Sequence, residues 1–211
     1  MLFVDRSDAG RMLARALARF RDEQPIVLGL VRGGVAVAAV VAAQLKAPLD
    51  VLVVRKIGVP AQPELAVGAL AGDILWLNDP LIAQLGIPRA TIDRMVAIER
   101  EEVARRQALY QDGRAMPDIA GRTVIVVDDG LATGATAVAA LRALRQRQPR
   151  RLVFASPVCS FDGAEQVGRE ADEVVCPFKP SDFQAVSQAY RSFPQVDDGE
   201  VRQLLRMQSR S

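Results

Sequence analysis

The chain has 211 residues, of which half are apolar and one quarter are charged, a composition that excludes a disordered or fibrous protein. Its 27 basic and 25 acidic residues nearly cancel, and aromatic residues make up only 5%, so neither a nucleic-acid partner nor a membrane partner is expected. The length suits one core domain over residues 1–211 rather than two ordinary domains.

The N-terminal part of the sequence predicts helices that alternate with short buried strands. Apolar residues at helical spacing follow a capping Asp5 or Ser7, and two later apolar runs lack the alternation of a half-exposed strand. The expected elements are a helix over Ala9–Arg21, a strand over Pro25–Leu30, a helix over Val35–Leu45 and a strand over Val51–Val54. The next segment, Ile57–Pro88, is punctuated by proline and glycine and is expected to form loop and hairpin outside the main sheet.

The same alternation continues to residue 176. The expected elements are a solvent-facing helix over Thr91–Tyr110, strands over Gly121–Val127, Arg151–Pro157 and Asp172–Cys176, and helices over Ala135–Gln148 and Gly163–Arg169. This order predicts an α/β fold: a doubly wound, mainly parallel five-stranded sheet with helices on both faces. The tail, residues 177–211, is expected to form a small hood or lid, because it carries an aromatic cluster of Phe178, Phe183, Tyr190 and Phe193.

Two features bear on the cellular compartment. Cys159 and Cys176 lie alone in apolar runs without CxxC spacing, which predicts buried free thiols in a reducing compartment rather than a disulfide or a zinc site. Asp5 and Arg6 interrupt the N-terminus, so no signal peptide is expected, and no apolar run reaches the roughly 18 residues of a membrane span. We therefore expect a cytoplasmic protein.

The segment Val124–Thr136 carries the strongest chemical signal. Four aliphatic residues predict a buried strand, and Asp128 and Asp129 follow at its end. A turn of small residues comes next, where a helix begins at about Ala135 and its free N–H groups favour phosphate. The residues of this turn are Gly130, Ala132, Thr133, Gly134, Ala135 and Thr136. Phosphate beside two carboxylates indicates a ribose 5-phosphate ligand; the alternative is a tight turn whose acidic pair only caps the helix.

This segment closely resembles the phosphoribosyl-diphosphate signature of type I phosphoribosyltransferases, in which an acidic pair precedes a small-residue turn with Thr-Gly and a final Thr. The resemblance implies that Asp128 and Asp129 bind the ribose 2- and 3-hydroxyls and, through them, Mg²⁺. It also implies that residues 132–136 bind the 5-phosphate. Many members of the family have Glu-Asp where this chain has Asp-Asp.

Two further loops resemble the same family. Leu30-Val31-Arg32-Gly33-Gly34 resembles its diphosphate loop, where backbone amides and a strained peptide bind the leaving group, although a Gly-Gly pair alone marks only a turn. Arg55-Lys56 resembles the Arg-Lys of adenine and orotate phosphoribosyltransferases, and alone it is a solvated basic strand end. In a doubly wound sheet, all three loops would converge at the edge formed by the carboxyl ends of the strands.

The tail and the overall layout extend the resemblance. Residues Asp172–Phe193 are similar in order to hypoxanthine-guanine phosphoribosyltransferases, which implies that Phe183 stacks on the acceptor base, with Phe178 as the second candidate. The alternative is that both rings only fill the core of the lid. The whole layout resembles a group of bacterial predicted phosphoribosyltransferases through Arg55–Pro60, Pro63–Ala66 and Val127–Gly134.

The resemblance implies a transferase of nucleotide metabolism that uses 5-phosphoribosyl 1-diphosphate and Mg²⁺ to ribosylate a nitrogenous acceptor, a purine or pyrimidine base, with release of diphosphate. Arg32, Arg55 and Lys56 would stabilise the leaving charge, and Ile57–Gly72 would close over the site to exclude water. The sequence has no histidine, so a general base must be a carboxylate of the acidic pair or the nucleophile itself.

Two other functions fit the same pocket. One is a non-catalytic regulator that senses the phosphoribosyl donor or a nucleotide, although the near-neutral charge gives no basic patch for binding nucleic acid. The other is a nucleotide-binding fold that takes a different sugar phosphate and releases no diphosphate. The identity of the acceptor and the existence of a homo-oligomer stay open.

Overall fold

The computed structural model describes residues 2–59, 62–111 and 116–208. In chain order, its helices and strands are α1 (Arg6–Ala16), β1 (Ile26–Leu30), α2 (Gly33–Leu45), β2 (Leu49–Leu52), β3 (Val54–Val59), β4 (Gln62–Ala71), β5 (Ile74–Leu77), α3 (Asp79–Gln84), α4 (Arg89–Gln111), β6 (Thr123–Val127), α5 (Ala135–Arg145), β7 (Arg151–Ala155), α6 (Phe161–Gly168), β8 (Glu173–Val175) and α7 (Asp198–Gln208). Short 3-10 helices cover Ala18–Glu23 and Val186–Ala189.

Five strands form the main sheet in the order β2-β1-β6-β7-β8, and every neighbouring pair is parallel. The chain moves outward from β1 to β2 on one side and from β6 through β7 to β8 on the other, so the strand order reverses between β1 and β6. In open α/β sheets, ligands bind at the carboxyl ends of the strands beside such a reversal. The predicted parallel sheet is confirmed, and the loops after β1 and β6 leave it side by side.

Both faces of the main sheet are covered, as predicted. Alternate residues of the central strands point to opposite layers: Val124 and Val126 pack in one core with α5, while Ile125 and Val127 pack in another with α1 and α2. These side chains are fully buried, and burying each one stabilises the fold by about 1.5–3 kcal/mol. The middle of the sheet is therefore a rigid support for the loops at its edge.

The segment after β2 forms a second sheet rather than mostly loop. Strands β3, β4 and β5 pair antiparallel, and Ile57 and Val67 bury their side chains against Ile92 and Val96 of α4. The prediction of a hairpin outside the main sheet is confirmed. The full length of the strands was not predicted, because proline and glycine interrupt their apolar pattern and their packing partners belong to a distant helix. The segment expected to close over the site, Ile57–Gly72, lies in β3 and β4, and its residues 60 and 61 lie outside the described residues.

The tail packs against the N-terminus, and the two segments together are called the hood here. Phe3 pairs with the tail on both sides, since its N–H donates to the Ala189 carbonyl over 2.8 Å and its carbonyl accepts from the Arg191 N–H over 2.8 Å. The aromatic cluster that the sequence predicted packs around Phe3 and Tyr190. The last helix, α7, was not predicted, and it buries Val201 and Leu205 in a core shared with α4.

The prediction of two free thiols is wrong, because Cys159 and Cys176 form a disulfide, with Cα atoms 6.3 Å apart. Cys159 follows β7 and Cys176 follows β8, and these strands are neighbours in the sheet. Sheet topology, rather than CxxC spacing, therefore brings the two cysteines together. As for membranes, none of the helices in the described ranges is both long and apolar enough to cross one.

Candidate functional site

The acidic pair lies at the centre of the edge. Strand β6 is buried along its whole length and ends at Val127, so Asp128 and Asp129 leave the sheet directly beside β1. The Asp129 N–H donates a hydrogen bond to Asp128 Oδ1 over 2.9 Å. Burial, and next the neighbouring Asp129 carboxylate, raise the pKa of Asp128 well above its usual range. A carboxylate in this situation gains strongly from a cation or a hydroxyl donor that comes within reach.

The turn after the acidic pair is open for an anion. Gly134 takes φ +76°, a left-handed conformation that strains residues with a side chain, and it precedes α5 without any side-chain cap. Thr133, Ala135 and Thr136 are exposed, so the first turn of the helix faces solvent. Ser160, the N-cap residue of α6, donates a hydrogen bond from Oγ to the Ala132 carbonyl over 2.5 Å and holds the turn in place. This geometry suits a phosphate group.

The loop after β1 presses against the acidic pair. A Cβ atom on Gly33 would collide with the Asp129 carboxylate, and one on Gly34 would lie only 2.6 Å from the Val127 carbonyl oxygen. The peptide bond between Val31 and Arg32 is cis. Glycine is therefore required for the two loops to approach each other this closely, and the predicted convergence of these two loops is observed.

The expectation that Arg55 and Lys56 lie at the end of a main-sheet strand is wrong. Strand β2 ends at Leu52, and both basic residues belong to β3 of the antiparallel sheet. Arg55 Nε donates to Glu99 Oε2 of α4 over 2.6 Å, and this hydrogen bond raises the pKa of Arg55. Neither basic residue is among the described residues that line the concavity at Asp129.

Arg6 is a site residue that sequence reasoning missed. Its Nε lies 2.8 Å from Asp129 Oδ2, its Nη1 donates to the Pro194 carbonyl over 2.7 Å, and its guanidinium carbon lies 3.8 Å from the centroid of the Phe193 ring. Arg6 and Asp129 are separated by 123 positions in the chain. No local pattern marks this pairing, since Arg6 reads only as the first residue after the helix cap Asp5.

The hood closes the other side of the site. The Tyr190 hydroxyl donates to the Asp129 carbonyl over 2.5 Å, and burial, with the Asp129 charge second, raises the pKa of Tyr190. A side chain on Gly130 would collide with Val186. Between hood and sheet lies an open concavity of about 510 Å³, whose lining includes Asp129, Val186 and Phe193. It is large enough for a planar ring system beside a sugar.

The two phenylalanines predicted to face an acceptor line a different concavity. Phe183 and Phe178 surround a space of about 340 Å³ together with Asp182 and Gln188. Asp129 is not among its described lining residues. Both rings also pack in the hood cluster around Phe3, which is the alternative that the sequence left open.

The acidic pair suits a metal ion that brings most of its own ligands. Among the residues that the structure describes, no group of three or more His, Cys, Asp or Glu side chains could hold a metal by itself. Mg²⁺ usually binds one or two carboxylates together with substrate oxygens and water, rather than a cage of protein ligands. Asp128 and Asp129 meet that requirement beside a turn whose geometry suits a phosphate group.

Comparisons with known proteins show the family to which this chain belongs. Residues 6–191 match the family model described as the phosphoribosyl transferase domain. A Mycobacterium tuberculosis protein, provisionally named a phosphoribosyl transferase, is 46% identical over 201 residues, which cover 95% of this chain and 45% of that protein. The crystal structure of a Thermus thermophilus protein, TT1426, is 41% identical, with a TM-score of 0.88, and covers 97% of this chain and 98% of that one.

A more distant match shows the fold alone. The purine phosphoribosyltransferase from Pyrococcus horikoshii is 15% identical, with a TM-score of 0.51, over 93% of this chain and 99% of that chain. The chain spans about half the length of the curated relatives it matches, because the aligned part is 45% of each relative.

Proposed function

Because this chain belongs to the phosphoribosyl transferase domain family, we propose that it transfers the ribose 5-phosphate group of 5-phosphoribosyl 1-diphosphate to a nitrogen of a purine or pyrimidine base. The bond from ribose C1 to a diphosphate oxygen breaks, a bond from C1 to the acceptor nitrogen forms, and diphosphate leaves. The observation that carries this proposal is the contact of Gly33 with the Asp129 carboxylate, beside the uncapped N-terminus of α5. One ligand can then reach a leaving-group loop, a hydroxyl-binding pair and a phosphate turn.

The donor's ribose 5-phosphate is assigned to the loop after β6. The turn of Thr133, Gly134, Ala135 and Thr136, in which all but Gly134 are exposed, takes the 5-phosphate, because its backbone N–H groups and the helix dipole both favour an anion. Asp128 and Asp129 accept hydrogen bonds from the ribose hydroxyls. Asp128 and Asp129 would hold Mg²⁺ through the same hydroxyls, and the ion would supply positive charge for the leaving diphosphate.

Charge stabilisation at the leaving group is assigned to the loop after β1 and to β3. Arg32 and the backbone of Gly33 and Gly34 contact the diphosphate, and Arg55 and Lys56 approach it from the antiparallel sheet. Because Glu99 holds Arg55 in the free protein, Arg55 exchanges that partner for the diphosphate on binding. The acceptor nitrogen passes its proton to a carboxylate of the acidic pair or loses it before attack.

The acceptor is assigned to the concavity between hood and sheet. It borders Asp129, which binds the ribose, so a base there lies within reach of C1. Val186 and Phe193 supply its apolar wall, and Phe183 with Phe178 form the second candidate surface for the base. The two candidate surfaces lie at different positions on the hood, so matched substitutions of Phe193 and Phe183 can distinguish them.

Diphosphate release tests the proposed function. The protein is mixed with the donor and Mg²⁺, and release is measured across a panel of purines, pyrimidines and small amines. At least one acceptor should produce release that exceeds hydrolysis without acceptor. If the donor binds but no acceptor triggers release, the enzyme proposal fails and a sensor of the donor replaces it.

A further inference from the structure

Arg6 lines the concavity between hood and sheet, beside the apolar wall of Val186 and Phe193. Three contacts hold its side chain: Nε donates to Asp129 Oδ2, Nη1 donates to the Pro194 carbonyl, and the guanidinium carbon lies over the Phe193 ring. Only 10% of the side chain is exposed. The guanidinium is therefore fixed in position before a ligand arrives, so a ligand that it binds does not have to order it.

The third nitrogen of this guanidinium is open to a ligand. Among the residues that the structure describes, Nε and Nη1 have partners and Nη2 has none. In the same part of the chain, every buried side-chain nitrogen and oxygen has a hydrogen-bond partner, so Nη2 of Arg6 keeps contact with open space. The concavity is the space that Arg6 lines. Nη2 can only donate, because arginine has no acceptor and stays protonated.

The other polar side chains that line the concavity, among the described residues, are Arg32, Asp129 and Gln195. The first two are assigned to the donor in the proposed function. Gln195 carries an amide, which can donate to an oxygen or accept from an amino group, so it does not discriminate between these two groups. Arg6 is therefore the side chain that gives this pocket a fixed preference for a hydrogen-bond acceptor on the bound base.

We propose that Arg6 selects an acceptor base that carries an exocyclic oxygen over one that carries an amino group at the same position. The oxygen accepts a charge-assisted hydrogen bond from Nη2, whereas the amino group presents a second donor and leaves Nη2 without a partner. A pocket built to hydrogen-bond one group rejects analogues that lack it. This inference rests on the proposed function, and it names the class of acceptor as an oxopurine or oxopyrimidine.

Titration calorimetry with nucleoside monophosphates tests the inference without any transfer reaction. Inosine and adenosine monophosphate share the ribose, the phosphate and the ring skeleton, and they differ where an exocyclic oxygen replaces an amino group. Wild type should bind the inosine nucleotide on the order of 10- to 100-fold more tightly, the range expected for a hydrogen bond to a charged group. Uridine and cytidine monophosphate form a second matched pair, in which the uridine nucleotide should bind more tightly.

The variant Arg6→Gln should lose the preference. Its amide can donate to an oxygen or accept from an amino group, so the two affinities of a pair should come within about threefold of each other. Partial unfolding does not change this ratio, because a loss of folded protein weakens both nucleotides equally. Arg11→Gln is the matched control on α1, since Arg11 pairs with Asp8 and is not among the described lining residues. Arg11→Gln, and Gln195→Ala inside the concavity, should keep the wild-type ratio.

Several results would overturn the inference: wild type binds the members of both pairs equally, prefers the amino members, or binds no nucleotide at about millimolar concentration, or Arg6→Gln keeps the wild-type ratio. Failure of the proposed function looks different. Diphosphate release that is equally efficient with oxo and amino bases would support transfer and remove the role of Arg6. A preference for oxygen-bearing nucleotides, without release by any acceptor, would support the role of Arg6 and contradict transfer.

Discussion

Arg6 Nε donates a hydrogen bond to Asp129 Oδ2 over 2.8 Å, so the first helix of the chain reaches the acidic pair at the end of the central strand. The two side chains are only 10% and 14% exposed. The same guanidinium lies over the Phe193 ring of the hood. One arginine therefore fixes the second carboxylate of the site and attaches the hood to it.

Replacing Arg6 should destabilise the protein. Arg6→Ala leaves a largely buried Asp129 carboxylate without its cation, which should cost about 2 kcal/mol, less than the loss of a fully buried pair because both groups keep some solvent contact. The melting temperature should fall by roughly 4–8 °C in a chain of this size. The control is Arg11→Ala on the same helix, whose pair with Asp8 is exposed and should matter little. Equal shifts for both variants would contradict the role given to Arg6.

Arg55 and Lys56 should contribute to binding the diphosphate of the donor. Replacing both with Ala should weaken binding of the donor by roughly tenfold or more and leave ribose 5-phosphate binding nearly unchanged, because only the donor carries the diphosphate. Titration calorimetry with each ligand measures the difference. Glu99→Gln is the matched control, since it removes the carboxylate that pairs with Arg55 and should not weaken binding of the donor. Equal losses for the two ligands would place both basic residues outside the site.

The hood should contact the acceptor through Phe193 rather than Phe183. Phe193→Leu keeps apolar volume but removes the ring, so it should raise the acceptor's KM by roughly 5- to 150-fold, the range expected for a lost base stack of about 1–3 kcal/mol. Donor affinity should stay the same. Phe183→Leu is the matched substitution in the same hood cluster, and it should leave the acceptor's KM unchanged, because its ring lines the other concavity. The opposite outcome would return the acceptor to Phe183, as the sequence first indicated.

The disulfide between Cys159 and Cys176 is tested by counting thiols. Protein purified without reductant and then denatured should expose no reactive thiol, because the chain has two cysteines and both are paired. Cys159→Ser with Cys176→Ser should lose about 3 kcal/mol, as expected for opening a loop of this length. Two reactive thiols in the denatured protein would contradict the pairing and support the free cysteines that the sequence predicted.

Local features of the sequence were enough to predict part of the site. Strand β6, the acidic pair and the turn into α5 follow each other without a break, so hydrophobicity, turn chemistry and helix start agree over Val124–Thr136. The five parallel strands were predicted from short apolar runs, although the second predicted run, Val51–Val54, overlaps β2 only at Val51 and Leu52. The approach of Gly33 to Asp129 also followed from the sheet rule, because β1 and β6 are neighbours.

Features that depend on distant parts of the chain could not be predicted. Arg6 meets Asp129 across 123 positions, and Arg55 meets Glu99 across 44. The cysteines pair because β7 and β8 are adjacent, which their spacing does not reveal. Strands β3 and β4 contain glycine and proline, which interrupt the apolar pattern of a strand, and both strands are stabilised by packing against α4. In each case the missing information was the identity of the packing partner.

The central claim is that Asp128 and Asp129 act together on the ribose hydroxyls and, through them, on Mg²⁺. Both carboxylates leave the same strand end, beside the phosphate turn and against Gly33. Asp128→Asn with Asp129→Asn keeps side chains that can accept a hydrogen bond but removes the charge that favours a metal-bound donor. Circular dichroism should show the wild-type fold in this variant, which separates loss of binding from loss of structure.

The most direct measurement is titration calorimetry of wild type and this double variant with 5-phosphoribosyl 1-diphosphate, with and without Mg²⁺. Wild type should bind the donor more tightly when Mg²⁺ is present, and the variant should lose about 100-fold or more in affinity together with its response to Mg²⁺. The account is contradicted if wild type binds the donor equally well with and without Mg²⁺, or if the double variant binds it as tightly as wild type.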